Sequence, residues 1–176
     1  FNTPGEKVWL KRRFKEYKVE NSDLAELKTR MDVIPTSLAL AQAAKESGWG
    51  TSRFALEGNA LFGQWTWGKN GIVPLDQDPD DEYKILGFQI LRASVRAYNN
   101  NLNTHNGYKE FRVARAKLRL QNKTITGLDL IKYLERYAAT GKEYIKVIGL
   151  IIKQNSLTDF DKANLLKTKT MEGLTL

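Results

Sequence analysis

Glu46 occupies the setting in this chain best suited to proton transfer. It ends the run Ala39-Leu40-Ala41-Gln42-Ala43-Ala44-Lys45-Glu46, in which helical spacing puts Ala39, Gln42 and Ala43 on its own face. The alanines are small enough to let another element approach that face. A carboxylate in the last turn of a helix meets the negative end of the helix dipole, which disfavours ionisation. Trp49 and Phe54 follow closely and add apolar surroundings that act in the same direction. An acid kept protonated near neutral pH can protonate a departing glycosidic oxygen. The competing reading is ordinary: a Glu at a helix end is more often a solvated surface group.

Glycoside cleavage normally uses two carboxylates. The next acidic cluster is Asp76, Asp78, Asp80, Asp81 and Glu82. Most of it reads as a solvated turn, since Asp favours turns through local hydrogen bonds to the backbone. Asp76 and Glu82, at the ends of two short strand patterns, are the better candidates for a second group. A route assisted by the substrate's own N-acetyl group needs only the one acid. Phe62, Gln64, Trp65 and Trp67 come directly after the Glu46 region and are candidates to line a sugar cleft, together with Trp49. Aromatic faces pack on pyranose rings, and an amide reads hydroxyl and N-acetyl groups. For Phe62, core packing is an equal alternative.

Other chemistries find little support. His105 is the single histidine and there is no cysteine, so a multi-His metal site, Cys-based zinc sites and thiolate catalysis are excluded. His105 reads as a structural group at a helix end. Neither a phosphate-binding loop nor a dinucleotide fingerprint occurs, and no cofactor is implied.

The elements that must position these residues are mostly helical. A stripe of Leu24, Leu27 and Met31 predicts a helix capped by Asn21 or Ser22 and reaching about residue 32. Pro35 and Gly48 bracket a helix over 36–47, the best delimited in the chain. Alternation over 72–75 and 83–86 predicts a small β-hairpin around the acidic turn. Apolar residues at helical intervals then predict helices over 89–104, 108–120, 127–139 and 142–154. The class is mainly α (α+β), six or seven helices with one inserted hairpin. Three segments follow: a basic N-terminal arm or helix (1–24) containing Lys11-Arg12-Arg13, a body (25–160), and a polar C-terminal tail (161–176).

The composition, 41% hydrophobic and 27% charged over 176 residues, suits one globular domain. No apolar stretch approaches the roughly 20 residues of a transmembrane helix. No secretory leader pattern opens the sequence, so any such signal is expected to have been removed or never to have existed. A net charge of +8 favours a polyanionic partner: nucleic acid, an anionic membrane or a cell-wall polymer. The basic run Arg112-Val113-Ala114-Arg115-Ala116-Lys117-Leu118-Arg119 motivates a non-catalytic binding module as one alternative, although no nucleic-acid motif accompanies it and nucleic acid is not expected as a partner.

A longer string sharpens the reading. Residues 40–52, Leu-Ala-Gln-Ala-Ala-Lys-Glu-Ser-Gly-Trp-Gly-Thr-Ser, and 59–63, Asn-Ala-Leu-Phe-Gly, resemble the bacterial glucosaminidases of glycoside hydrolase family 73, and within them the Bax-type branch. The likeness continues through Ser94-Val95-Arg96-Ala97-Tyr98, Asn101-Leu102-Asn103-Thr104-His105, Tyr108, Arg136-Tyr137-Ala138 and Tyr144, covering roughly residues 25–160. It implies a lysozyme-like helical body with a small β-lobe and a glycan cleft, peptidoglycan glycan strands as substrate, and a periplasmic or extracellular setting. By the same resemblance Glu46 is the general acid and Tyr137 a cleft residue near the reacting sugar. The Asp often found shortly after that Tyr is missing here. A lytic transglycosylase is the nearest enzymatic alternative, but its usual Gly-Leu-Met-Gln segment is absent.

Overall fold

The computed structural model describes residues 3–78 and 80–164. Eight helices run in chain order: α1 (Pro4–Glu16), α2 (Leu24–Arg30), α3 (Thr36–Ser47), α4 (Arg53–Gly58), α5 (Leu91–Thr104), α6 (Lys109–Leu120), α7 (Gly127–Leu130) and α8 (Lys142–Gln154). Short 3-10 segments lie at Asn106–Tyr108, Ile131–Tyr133 and Leu157–Lys162. Between α4 and α5 a small antiparallel sheet is inserted, made of β1 (Trp65–Thr66), β2 (Gly71–Ile72) and β3 (Lys84–Leu86) in the order β1-β3-β2. The mainly α class with a small β-lobe, expected from the sequence, is what the chain adopts.

The core is built around α3, whose Leu38 and Ala41 are fully buried among Leu102, Leu130, Ile148 and Ile152 of the surrounding helices. Its run of small residues permits this central position, because neighbours close in without large side chains holding them off. Pro35, the residue before its first turn, offers no side-chain cap. Asp161 supplies one from the other end of the sequence, accepting from the Ser37 backbone N–H at 2.9 Å and from the Ser37 hydroxyl at 2.7 Å. Ser37 Oγ in turn accepts from the Gly127 N–H at 2.8 Å. A Cβ on Gly127 would stand 2.8 Å from the Leu38 backbone nitrogen, so only glycine lets α7 start this close to α3. Thus Asp161, assigned at sequence level to the tail, belongs to the packed body; the tail from residue 165 lies outside the described residues.

Several boundaries differ from the sequence expectation. Asp23, not Asn21 or Ser22, caps α2, because Asn21 and Ser22 are both in the left-handed region and the chain is still turning there. The expected helix over 127–139 stops after four residues and passes through a 3-10 turn; the capping box of Thr126 and Asp129 starts it, but no regular continuation reaches Tyr137. The expected hairpin pairing exists, with Ile72 opposite Ile85, but β1 adds a third strand, Trp65 opposite Ile85. Two residues are too few to show alternation in a sequence. The N-terminal basic segment contains the helix α1, started by a Thr3–Glu6 capping box, and none of the residues of α1 is buried.

The basic run of α6 also departs from a solvated charged face. Arg112 and Arg115 point inward, 2% and 0% exposed. Arg112 donates to the carbonyls of Leu102 and His105, closing the end of α5. Arg115 donates to the carbonyls of Asp32, Val33 and Thr29 and to the Asn103 side chain, tying the α2–α3 connection to α5. His105 sits just past α5, as expected of a structural group, with Nδ1 accepting from the Gly107 N–H.

Candidate active site

Glu46 lies in the last turn of α3, where Gly48 in the left-handed conformation terminates the helix. Burial pushes its carboxyl above the usual value of 4.5, against the opposing pull of the Tyr144 hydroxyl and the Lys45 charge. The side chain faces a cleft of about 670 Å³ between the helical body and the start of the β-lobe. Gly63 brings the two sides together: it has a φ of +57°, and a Cβ there would meet Glu46 Oε2 at 3.5 Å. Glycine meets the left-handed geometry without strain and leaves space beside the acid.

Behind Glu46 runs a buried polar chain that the sequence does not announce. Tyr98 donates its hydroxyl to Gln42 Oε1 at 2.8 Å, and Gln42 Nε2 donates to the Tyr144 hydroxyl at 2.8 Å. All three side chains are almost wholly shielded from solvent. With its oxygen accepting from Gln42, the Tyr144 hydroxyl is left free to donate toward Glu46, whose carboxyl it pulls downward. Gln42 therefore shares the face of Glu46, as its spacing requires, and reaches it through Tyr144.

The candidate residues fall into two groups. Phe62, Gln64, Trp65 and Tyr137 all line the cleft with Glu46. Phe62 is both core and cleft wall: it is buried, stacks on Tyr98 at 3.9 Å, and its carbonyl accepts from the Tyr137 hydroxyl at 3.4 Å. Tyr137 stacks on Tyr144 at 5.4 Å, and burial together with the nearby Glu46 raises its phenol well above the ordinary value. Trp65 rests one face on Tyr83 at 4.6 Å yet stays 60% exposed. Gln64 Oε1 is shielded and has no hydrogen-bond partner among the described residues.

Trp49 and Trp67 stand elsewhere, largely exposed and outside the cleft lining. Neither Trp49 nor Phe54 lines the cleft; Phe62, Tyr108 and Tyr137, from other parts of the chain, do. Directly after Gly48, Trp49 also adopts a positive φ, and the chain turns away from the carboxyl group. Asp76 and Glu82 are exposed on the β-lobe and do not line the cleft, where Glu46 is the sole carboxylate among the described residues. Asn101, Tyr108 and Arg136 do line it. They belong to stretches of the family resemblance, but no chemical pattern in the sequence marks them as site residues. Among the described residues no group of acidic or histidine side chains is arranged to hold a metal ion.

A helical body with a small sheet, and a cleft between them lined by a half-buried carboxyl group that burial pushes upward, suit a glycosidase-like molecule. Residues 21–157 match the Glucosaminidase family, described as mannosyl-glycoprotein endo-β-N-acetylglucosaminidase, and the chain belongs to that family. It is also 36% identical over 159 residues to Protein bax of Escherichia coli (strain K12), a match covering 87% of this chain and 57% of the relative. The chain thus spans little more than half the length of that relative. No solved structure matches it. Family membership supports a glycan-hydrolysing enzyme.

Proposed function

We propose that this chain hydrolyses the β-1,4 bond after N-acetylglucosamine in peptidoglycan, with Glu46 as general acid. The observation that carries the reading is that Glu46, half-buried, is the one carboxylate lining the cleft among the described residues, with burial pushing its carboxyl above the ordinary 4.5. A neutral acid there can protonate the departing oxygen as the glycosidic bond breaks. Because no second carboxylate lines the cleft among the described residues, the substrate's N-acetyl oxygen is the favoured partner: it bonds to the anomeric carbon as the leaving group departs. Water then opens that intermediate, giving up a proton to the Glu46 carboxylate and regenerating the acid. Trp65 offers an open ring face to a sugar, Gln64 an unpaired acceptor to a hydroxyl or amide N–H, and Tyr137 a hydroxyl beside the reacting centre. The positive charge of the chain favours an anionic wall polymer as substrate, and a cell-envelope location follows from that substrate.

The test is digestion of purified peptidoglycan, borohydride reduction and mass spectrometry. The expected product carries a reduced N-acetylglucosamine end, and Glu46→Gln should lower its rate of formation by about 10² to 10⁴-fold with folding retained. Anhydro-muramic ends would instead establish the transglycosylase alternative, and undiminished cleavage by Glu46→Gln would remove the acid from the mechanism.

A further inference from the structure

Among the described residues Arg136 is the single cationic one that lines the Glu46 cleft. It immediately precedes Tyr137, in the stretch after the 3-10 turn where the regular helix has ended, and it is exposed. The other arginines near the core are committed: Arg112, Arg115 and Arg30 are used up on carbonyls and carboxylates of the body. Among the described residues Arg136 makes neither an ion pair nor a hydrogen bond. It also lines a neighbouring depression of about 400 Å³ beside Lys109 and Lys132, so Arg136 stands at the border between the cleft and the space next to it. An uncommitted planar fork of donors at such a junction matches a carboxylate, which it can bind through two parallel hydrogen bonds.

We infer that Arg136 is a specificity-determining residue that binds a carboxylate carried by the glycan next to the bond being cut, and so selects acid-bearing glycan over neutral glycan. The inference rests on the proposed hydrolase activity. Two sources share this chemistry: the lactyl carboxylate of a muramic residue freed of peptide, and a carboxylate on the attached stem peptide.

Three substrates separate the possibilities: glycan strands stripped of peptide, the same strands with their carboxylates converted to methylamides, and strands bearing stem peptides. New reducing ends give kcat/KM for each. The wild-type chain should prefer stripped strands to their methylamides by roughly tenfold or more, the scale of a hydrogen bond to a charged group. In Arg136→Gln that ratio should fall toward one, and Arg136→Lys, retaining the charge without the fork, should restore part of it. If the wild type shows no such preference but Arg136→Gln loses rate selectively on stem-bearing strands, the carboxylate belongs to the peptide. A ratio unchanged in Arg136→Gln, with equal losses on all three substrates, overturns the inference while leaving the hydrolase standing. Failure of the wild type to cut any of the three overturns the hydrolase reading itself, and this inference with it.

Discussion

Glu46 is costly to the fold in the way a working acid is expected to be. Burial raises its carboxyl above the ordinary 4.5, so the folded chain holds this proton more tightly than the unfolded chain does. Its contribution to stability is complete below about pH 4.5 and is lost as pH rises through the higher native value. The same ionisation should set the alkaline limb of the activity profile. The Tyr144 hydrogen bond pulls the other way, stabilising the ionised form. Tyr144→Phe should therefore move the alkaline limb to higher pH, while leaving the buried Gln42 N–H without its acceptor at a cost of about 1–3 kcal/mol. A pH–rate profile together with a denaturation midpoint reads both effects. A limb that stays in place in Tyr144→Phe would mean that this hydroxyl does not govern the acid.

Among the elements, α6 contributes more to the body than its charge suggests. Arg115 is fully buried, and its guanidinium is lowered to about 10, chiefly by desolvation, partly offset by Asp32. It remains charged at neutral pH. Asp32 is also hydrogen-bonded by Arg119 at 2.9 and 3.0 Å; burial opposes its ionisation, but the two arginines outweigh burial and hold its carboxyl below the ordinary 3.8. That part of the stability is present above about pH 3.8 and is lost as pH falls through the lower native value. Arg115→Met keeps much of the volume but strands the carbonyls of Thr29, Asp32 and Val33. It should destabilise the fold by about 3–5 kcal/mol, as read by urea denaturation. A loss under about 1 kcal/mol would show that water replaces the guanidinium without difficulty.

At the scale of the whole molecule, the cleft exists because the β-lobe is inserted between α4 and α5 and returns its first residues to the end of α3. The lobe's own acids point elsewhere. Asp76→Asn and Glu82→Gln should each leave glycan cleavage within a few-fold of wild type, well short of the 10²-fold loss expected on removing a catalytic base. A loss of that size in either variant, measured as released reducing ends, would return the mechanism to two carboxylates. Much of this arrangement was legible beforehand. The limits of α3 follow from Pro35 and Gly48, and α8 runs over the 142–154 its apolar spacing predicts, because caps and periodicity are local properties written along the chain. Glu46 was marked by its helix end and its motif for the same reason. Local signals do not carry distance across the fold. The Tyr98–Gln42–Tyr144 chain joins residues 56 and 102 positions apart, α3 is capped by an Asp 124 positions away, and Arg115 of α6 turns inward to carbonyls more than 80 positions distant. Each is a polar group that burial compels to find a partner, and only the folded chain decides which partner comes within reach.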